Sequence, residues 1–159
     1  MSERIPLDEA DVRILSALQE DGTLSVAAVS EKVHLSQNAC WRRMKRLEET
    51  GVLSRRVALI DAEKVGLDLV VFVSIRTSEH NEDWFENFSK VVRQMPEVVE
   101  FYRLTGDVDY LLKLKVENIR AYDAAYKKLI SQVKLTDVSS AFAMEELKNT
   151  TAIPVKPFA

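Results

Sequence analysis

Five apolar residues in a row, "LVVFV" at positions 69–73, limit the fold of this chain more than any other feature. The surrounding "LDLVVFVSIRT" reads as a strand by its β-branched content, and a strand that does not alternate with polar residues is one covered on both faces. The segments that follow supply the rest of a sheet. "NEDWFENFSKVVRQMP" is helical, with Trp84, Phe88, Val91 or Val92, and Met95 in one stripe and Pro96 stopping it. "EVVEFYRLTG" and "DYLLKLKV" are strands about the turn "TGDVD". "NIRAYDAAYKKLISQV" is a second helix, with Ile119, Tyr122, Tyr126, Leu129/Ile130 and Val133 in register, and "VSSAFAMEEL" is a last strand. The order β-α-β-β-α-β predicts a ferredoxin-like plait. Two helices cover only one face of its four-stranded sheet. The second apolar face of residues 69–73 therefore predicts a partner, most simply a second copy packed sheet to sheet.

The first third is different in kind. "LDEADVRILSALQEDG" starts from Asp8 as N-cap, carries Val12, Leu15 and Leu18 at helical spacing and ends at Gly22. "SVAAVSEKV" is a short helix capped by Ser25, "HL" is a tight connection, and Ser36 caps a third helix closed by Gly51. On a helical wheel of that third helix Cys40, Met44 and Leu47 fall on one side. Asn38, Arg42 and Lys45 fall on the other, with Trp41 and Arg46 flanking. A capped helix after a short turn, with polar and basic residues from its first turn onward, is the recognition helix of a helix-turn-helix. The predicted class is α+β: a winged helix-turn-helix over residues 1–60, a polar linker at 61–66, the βαββαβ unit over 67–148 and a tail at 149–159. In the tail Ile153 is available to an edge strand, and the residues beyond it are expected to fray.

Charge points the same way. The chain carries a net −3, yet Arg42, Arg43, Lys45, Arg46, Arg55 and Arg56 face only Glu48 and Glu49 within residues 40–56. A basic patch in an otherwise neutral module is the footprint of a double-stranded DNA contact. A run of charge on a helix is commonly only a solvated face. Here the first turns lack balancing acids, and Arg55–Arg56 follow on a β-like segment, "VLSRRVALI", placed like a wing. The predicted contact set is Ser36, Gln37, Asn38, Trp41, Arg42, Arg43, Lys45, Arg46, Arg55 and Arg56. Arg43 lies nearer the buried stripe, where it is either a clamp on the helix or a phosphate contact.

Other chemistries find little material. One cysteine, Cys40, supports neither a disulfide framework nor a cysteine-rich zinc site, and it reads as a small core residue. His34 and His80 leave little for a metal centre; no metal and no cofactor is expected. The acidic "MSERIPLDEADV" lacks the apolar stretch of a signal peptide, and no run is long enough for a membrane span, so a cytoplasmic protein is expected.

In this order the segments "LDEADVRILSALQEDG", "LSQNACWRRMKRLEETGVL" and "LTGDVDYLLKL" resemble the leucine-responsive regulatory protein (Lrp/AsnC) family of transcription regulators, over nearly the whole chain. The resemblance implies homodimers that assemble further, often to octamers, and a small-molecule effector such as an amino acid. It places the effector pocket between dimers near "TGDVDY", at Gly106, Asp107 and Asp109, with Ser139 and Ser140 at the start of the last strand. Read alone, Asp107 and Asp109 are open to a plain turn, a ligand site or catalytic carboxylates, although no third chemical group stands near them in sequence. An architectural DNA-binding protein of low specificity and a metabolic enzyme on a ferredoxin-like scaffold remain as alternatives. The enzyme reading lacks a triad, metal cluster or phosphate loop in the sequence.

Overall fold

The computed structural model describes residues 4–79 and 81–158. Residues 1–3, His80 and Ala159, on which parts of the sequence reading rest, lie outside the described residues. The chain divides into two compact units, the first formed by the described residues of Met1–Leu59 and Lys148–Ala159, the second by Ile60–Leu147.

In the first unit α1 (Glu9–Glu20) starts where Asp8 accepts from the Asp11 N–H, while Asp11 in turn accepts from the Asp8 N–H. This reciprocal box satisfies two of the donors that a helix start leaves open. The helix ends at Asp21 rather than through Gly22; the Asp21 carboxylate takes the N–H and hydroxyl of Thr23 instead. Ser25 caps α2 (Val26–Val33) and Ser36 caps α3 (Gln37–Glu49). Ile14, Leu15 and Leu18 of α1, Val29 and Val33 of α2, and Cys40, Met44 and Leu47 of α3 form one core.

The tail does not fray. The Leu7 and Phe158 backbones exchange two hydrogen bonds of 3.0 Å, the Gln19 amide brackets the Ile153 backbone at 2.7 and 3.1 Å, and Val155 packs against the helical core. Ile153 is held by a side chain and joins no strand. Residues 52–60, expected as a wing-like strand, form none: Val52 and Leu53 pack on the helical core, no described neighbour takes the backbone hydrogen bonds of 54–60, and Val57, Leu59 and Ile60 stay 62%, 69% and 70% exposed.

The second unit is the expected plait. Its elements are β1 (Leu69–Arg76), α4 (Glu82–Arg93), β2 (Val98–Arg103), β3 (Tyr110–Val116), α5 (Ile119–Gln132) and β4 (Asp137–Phe142). The sheet order is β2-β3-β1-β4 with every pair antiparallel. Val71, Val73 and Ile75 of β1 and Tyr110, Leu112, Leu114 and Val116 of β3 turn to the helices. They meet Phe88, Val91 and Val92 of α4 and Ala125 and Leu129 of α5. On α5, Ile119 is the exception to the expected stripe: it stands in the first turn and is 66% exposed. Among the described residues of this unit, strand β1 is covered on one face only. By the alternation of the pleat its other face carries Val70, Phe72 and Ser74. Beside Phe72 on that face lie Lys113 and Ala141, and beside Ser74 lie Leu111 and Ser139.

Candidate nucleic-acid interface and effector site

Helix α2 closes on His34, which takes a left-handed conformation (φ 56°), and the Leu35 N–H reaches back to the Ser30 carbonyl at 3.0 Å. That motif ends a helix within two residues. It brings Ser36 into position at once, where its hydroxyl takes the Ala39 N–H at 3.3 Å and starts α3. Cys40, Met44 and Leu47 then anchor the helix in the core. Burial pushes the Cys40 thiol up, so it stays protonated and inert as a core residue.

The opposite side of α3 presents Gln37, Asn38, Trp41, Arg42 and Lys45 to solvent. Lys45 sits 5.2 Å from the centre of the Trp41 ring and 3.7 Å from Glu49, so the tryptophan and the lysine form one exposed ridge. Arg42 has no carboxylate within ion-pair distance among the described residues. The other four arginines do not behave alike. Arg43 turns inward to Asp8 (2.7 Å) and Asp11 (2.9 Å), and Arg46 binds the second oxygen of Asp11 at 2.5 Å. Both are clamps that tie α3 to α1; Asp11, 1% exposed, is the buried anion between them. Paired hydrogen bonds to the two carboxylates hold Arg43 firmly in its charged form. Arg56 is drawn to Glu48 at 3.1 Å, and Arg55 is exposed. The structure therefore gathers Ser36, Gln37, Asn38, Trp41, Arg42 and Lys45 on one free face, and assigns Arg43 and Arg46 a structural task as well.

Sequence reasoning missed Asp8 and Asp11 as the partners of those arginines. Asp8 reads only as the N-cap of the first helix, and nothing in the sequence pairs it or Asp11 with residues more than thirty positions later.

Within one copy of the second unit the predicted effector residues do not form a single cluster. Gly106, at φ 112°, lets the β2–β3 hairpin turn, and Asp107 is exposed beside it. Asp109 is engaged: its carboxylate takes the Thr77 N–H at 2.8 Å and its own N–H goes to the Ile75 carbonyl at 3.0 Å. Ser139 and Ser140 are consecutive on β4 and so point to opposite faces. Ser140 bonds the Tyr122 hydroxyl on the helix side, and Ser139 lies on the open face. A feature without a sequence signal lies at the base of the same hairpin. A cavity of about 260 Å³ is lined by Glu79, Glu82, Trp84, Phe85, Arg103 and Tyr110. The Arg103 guanidinium stands 5.7 Å from the centre of the Phe85 ring. Among the described residues no group of histidine, cysteine and carboxylate side chains is placed to hold a metal ion, and no helix is long and apolar enough to cross a membrane.

A helix-turn-helix followed by a βαββαβ plait is the architecture of a DNA-binding regulator with an effector-responsive unit. Residues 7–48 match the AsnC-type helix-turn-helix domain, and residues 70–153 match the Lrp/AsnC ligand binding domain. The chain belongs to the Lrp/AsnC family of transcription regulators, and the family is regulatory rather than catalytic. It is 56% identical to the glutamate uptake regulatory protein of Zymomonas mobilis over 149 residues, 94% of this chain and 91% of that one. It is 46% identical to the DNA-binding transcriptional activator DecR of Escherichia coli over 151 residues, covering 94% and 99%. Among solved structures it resembles an AsnC family transcriptional regulator from Agrobacterium tumefaciens (55% identity, 93% and 97% covered, TM-score 0.91). It also resembles the transcriptional regulator NMB0573 of Neisseria meningitidis in complex with L-Met (37% identity, 93% and 96% covered, TM-score 0.88).

Proposed function

We propose that the chain is a sequence-specific regulator that reads duplex DNA through α3 and whose assembly or DNA affinity responds to a small amino-acid-like effector. The observation that carries the DNA half is the exposed face of α3, where Arg42 stands beside Asn38, Trp41 and Lys45 with no carboxylate partner among the described residues. Arg55 extends the charge beyond the helix, and Arg43, Arg46 and Arg56 add theirs while held by their own acids. A dimer brings two such helices to two half-sites about one helical turn, or a multiple of it, apart. The open sheet face, with Val70, Phe72 and Leu111 near its middle, is the surface proposed for that second copy. Further assembly, as far as an octamer, is proposed from the family.

Arg42→Ala and Lys45→Ala are expected to leave folding intact, because surface changes cost under about 0.5 kcal/mol. A base-contacting arginine is expected to lose about 1–3 kcal/mol of affinity and relax the preference at one base pair. A phosphate contact weakens all duplexes alike and flattens the salt dependence by about one. Fluorescence anisotropy on the operator and on unrelated duplex, across a salt series, separates the two. Unchanged operator affinity in both variants would overturn the recognition-helix assignment.

For the effector we propose an amino acid held at the base of the β2–β3 hairpin. Arg103 meets its carboxylate, Glu79 or Glu82 its ammonium group, and Gly106 and Asp107 close over it as the hairpin tip. The relative from Neisseria, in complex with L-Met, supports the ligand class and not the identity. Titration calorimetry with each of the twenty amino acids is expected to find at least one that binds the wild type. Arg103→Gln is expected to weaken it by about tenfold or more, the loss of one charge-assisted pair. No heat from any amino acid ends the amino-acid reading; equal binding by Arg103→Gln moves the site elsewhere.

A further inference from the structure

We propose that Asp8 is a built-in competitor of DNA: its carboxylate occupies the place on Arg43 that a backbone phosphate of bound duplex takes. The proposal rests on the DNA-binding reading above.

The geometry separates two carboxylates with different freedom. The Asp11 side chain is 2% exposed and each of its oxygens is held by a guanidinium, Oδ1 by Arg43 and Oδ2 by Arg46. It cannot leave. The Asp8 side chain is 54% exposed and divides its work. Oδ1 takes the Asp11 N–H at 2.9 Å and caps α1, while Oδ2 takes Arg43 Nη1 at 2.7 Å. One buried anion balances only one of the two arginines, so the second positive charge is balanced by Asp8 at the surface. These groups line a solvent-facing cleft of about 890 Å³, together with Arg42, which belongs to the proposed DNA face, and Glu9. A phosphate oxygen arriving beside Arg42 meets Arg43 across the same cleft and finds Asp8 in its place. Exchanging one anion for another there leaves the cap on Oδ1 intact. The Asp11 N–H and then Arg43 hold the Asp8 carboxyl below the usual carboxylate range, so the competitor remains charged at any neutral pH.

The atomic division of labour supplies a clean variant. Asp8→Asn keeps a carbonyl oxygen for the cap, and asparagine caps a helix as well as aspartate does. It removes the charge at Arg43. Asp8→Ser is a second uncharged residue able to cap, so the test survives a folding defect in either one. Glu9→Gln removes one negative charge from the same cleft without touching Arg43. Binding is measured by fluorescence anisotropy on operator and unrelated duplex from about 50 to 200 mM salt. Both Asp8 variants are expected to bind both duplexes about two- to fivefold more tightly, the size of one exposed ion pair. Their log–log salt dependence is expected to steepen, because in the wild type the displaced Asp8 carboxylate regains screening cations that offset part of the release from the duplex, and the variants have no such carboxylate. Glu9→Gln is expected to show a smaller gain and no change of slope. Equal or weaker binding by both Asp8 variants overturns the proposal. A gain in Glu9→Gln that matches theirs also overturns it, since the effect is then one of net charge alone. Wild type that binds no duplex at the lowest salt removes the DNA-binding reading, and this proposal with it.

Discussion

Asp11→Ala is expected to cost the helical unit about 2–3 kcal/mol. Removing one partner of a fully buried ion pair costs about 3–5 kcal/mol, because the other charge is left uncompensated in a poor solvent. Here the expected loss is smaller. The side chains of Arg43 and Arg46 are 32% and 42% exposed, so water takes over part of what the carboxylate supplied. The reciprocal half of the α1 cap, the Asp8 N–H on Asp11, disappears as well. Asp11→Asn keeps the shape and is expected to lose less. Denaturant unfolding followed by helical circular dichroism measures both. A cost under about 0.5 kcal/mol for the alanine, the range of an ordinary surface change, would show that the Asp11 cluster does not hold α3 to α1.

Phe88→Ala is expected to be worse, about 3–5 kcal/mol, and to act on the other unit. The Phe88 ring is fully buried, with centroids 5.0 Å from Trp84, 5.0 Å from Tyr110 and 5.3 Å from Phe101. Deleting it removes the shared contact of three other aromatic rings, two of which, Trp84 and Tyr110, also line the hairpin cavity. The loss therefore combines transfer free energy with a cavity that the stiff rings fill poorly. Differential scanning calorimetry of the two variants side by side is the informative measurement, because each lowers the stability of a different core. Phe88→Leu is expected to recover part of the loss. A cost below about 1 kcal/mol would mean that the aromatic cluster collapses on the vacancy and is loosely packed in the parent.

How much of this was legible beforehand follows from the range over which each cause acts. Caps act over three residues, and Asp8, Ser25 and Ser36 were each read from the sequence and each cap their helix. The stripe Cys40, Met44 and Leu47 acts over two turns and was equally visible. So was the order of strands and helices, because each element carries its own period. The fate of the arginines was not visible. The wheel sets Arg43 nearer the buried stripe and leaves it either a clamp or a phosphate contact; only the approach of α1, more than thirty residues earlier in the chain, shows that both Arg43 and Arg46 are held by Asp11. Asp109 is a candidate ligand by the family resemblance, and the residues alone leave it open between a turn, a ligand site and a catalytic carboxylate. Its bond to the Thr77 N–H depends on β1 lying beside β3, a tertiary fact. The wing failed for a related reason. "VLSRRVALI" has the composition of a strand, but a strand is a property of a pair, and no described segment lies alongside it.

The tail bears on how the protein is made. Val155 and the backbone of Phe158 complete the helical unit, yet they leave the ribosome only after the whole of Ile60–Leu147. Domains made of contiguous chain generally fold as units, in order of synthesis. This one cannot. Its three helices are translated first, and the sites for Val155, Ile153 and Phe158 stay unfilled until the residues after Leu147 have been made. The helical unit proposed to bind DNA is thus complete only after the residues that follow the second unit have been made and have packed.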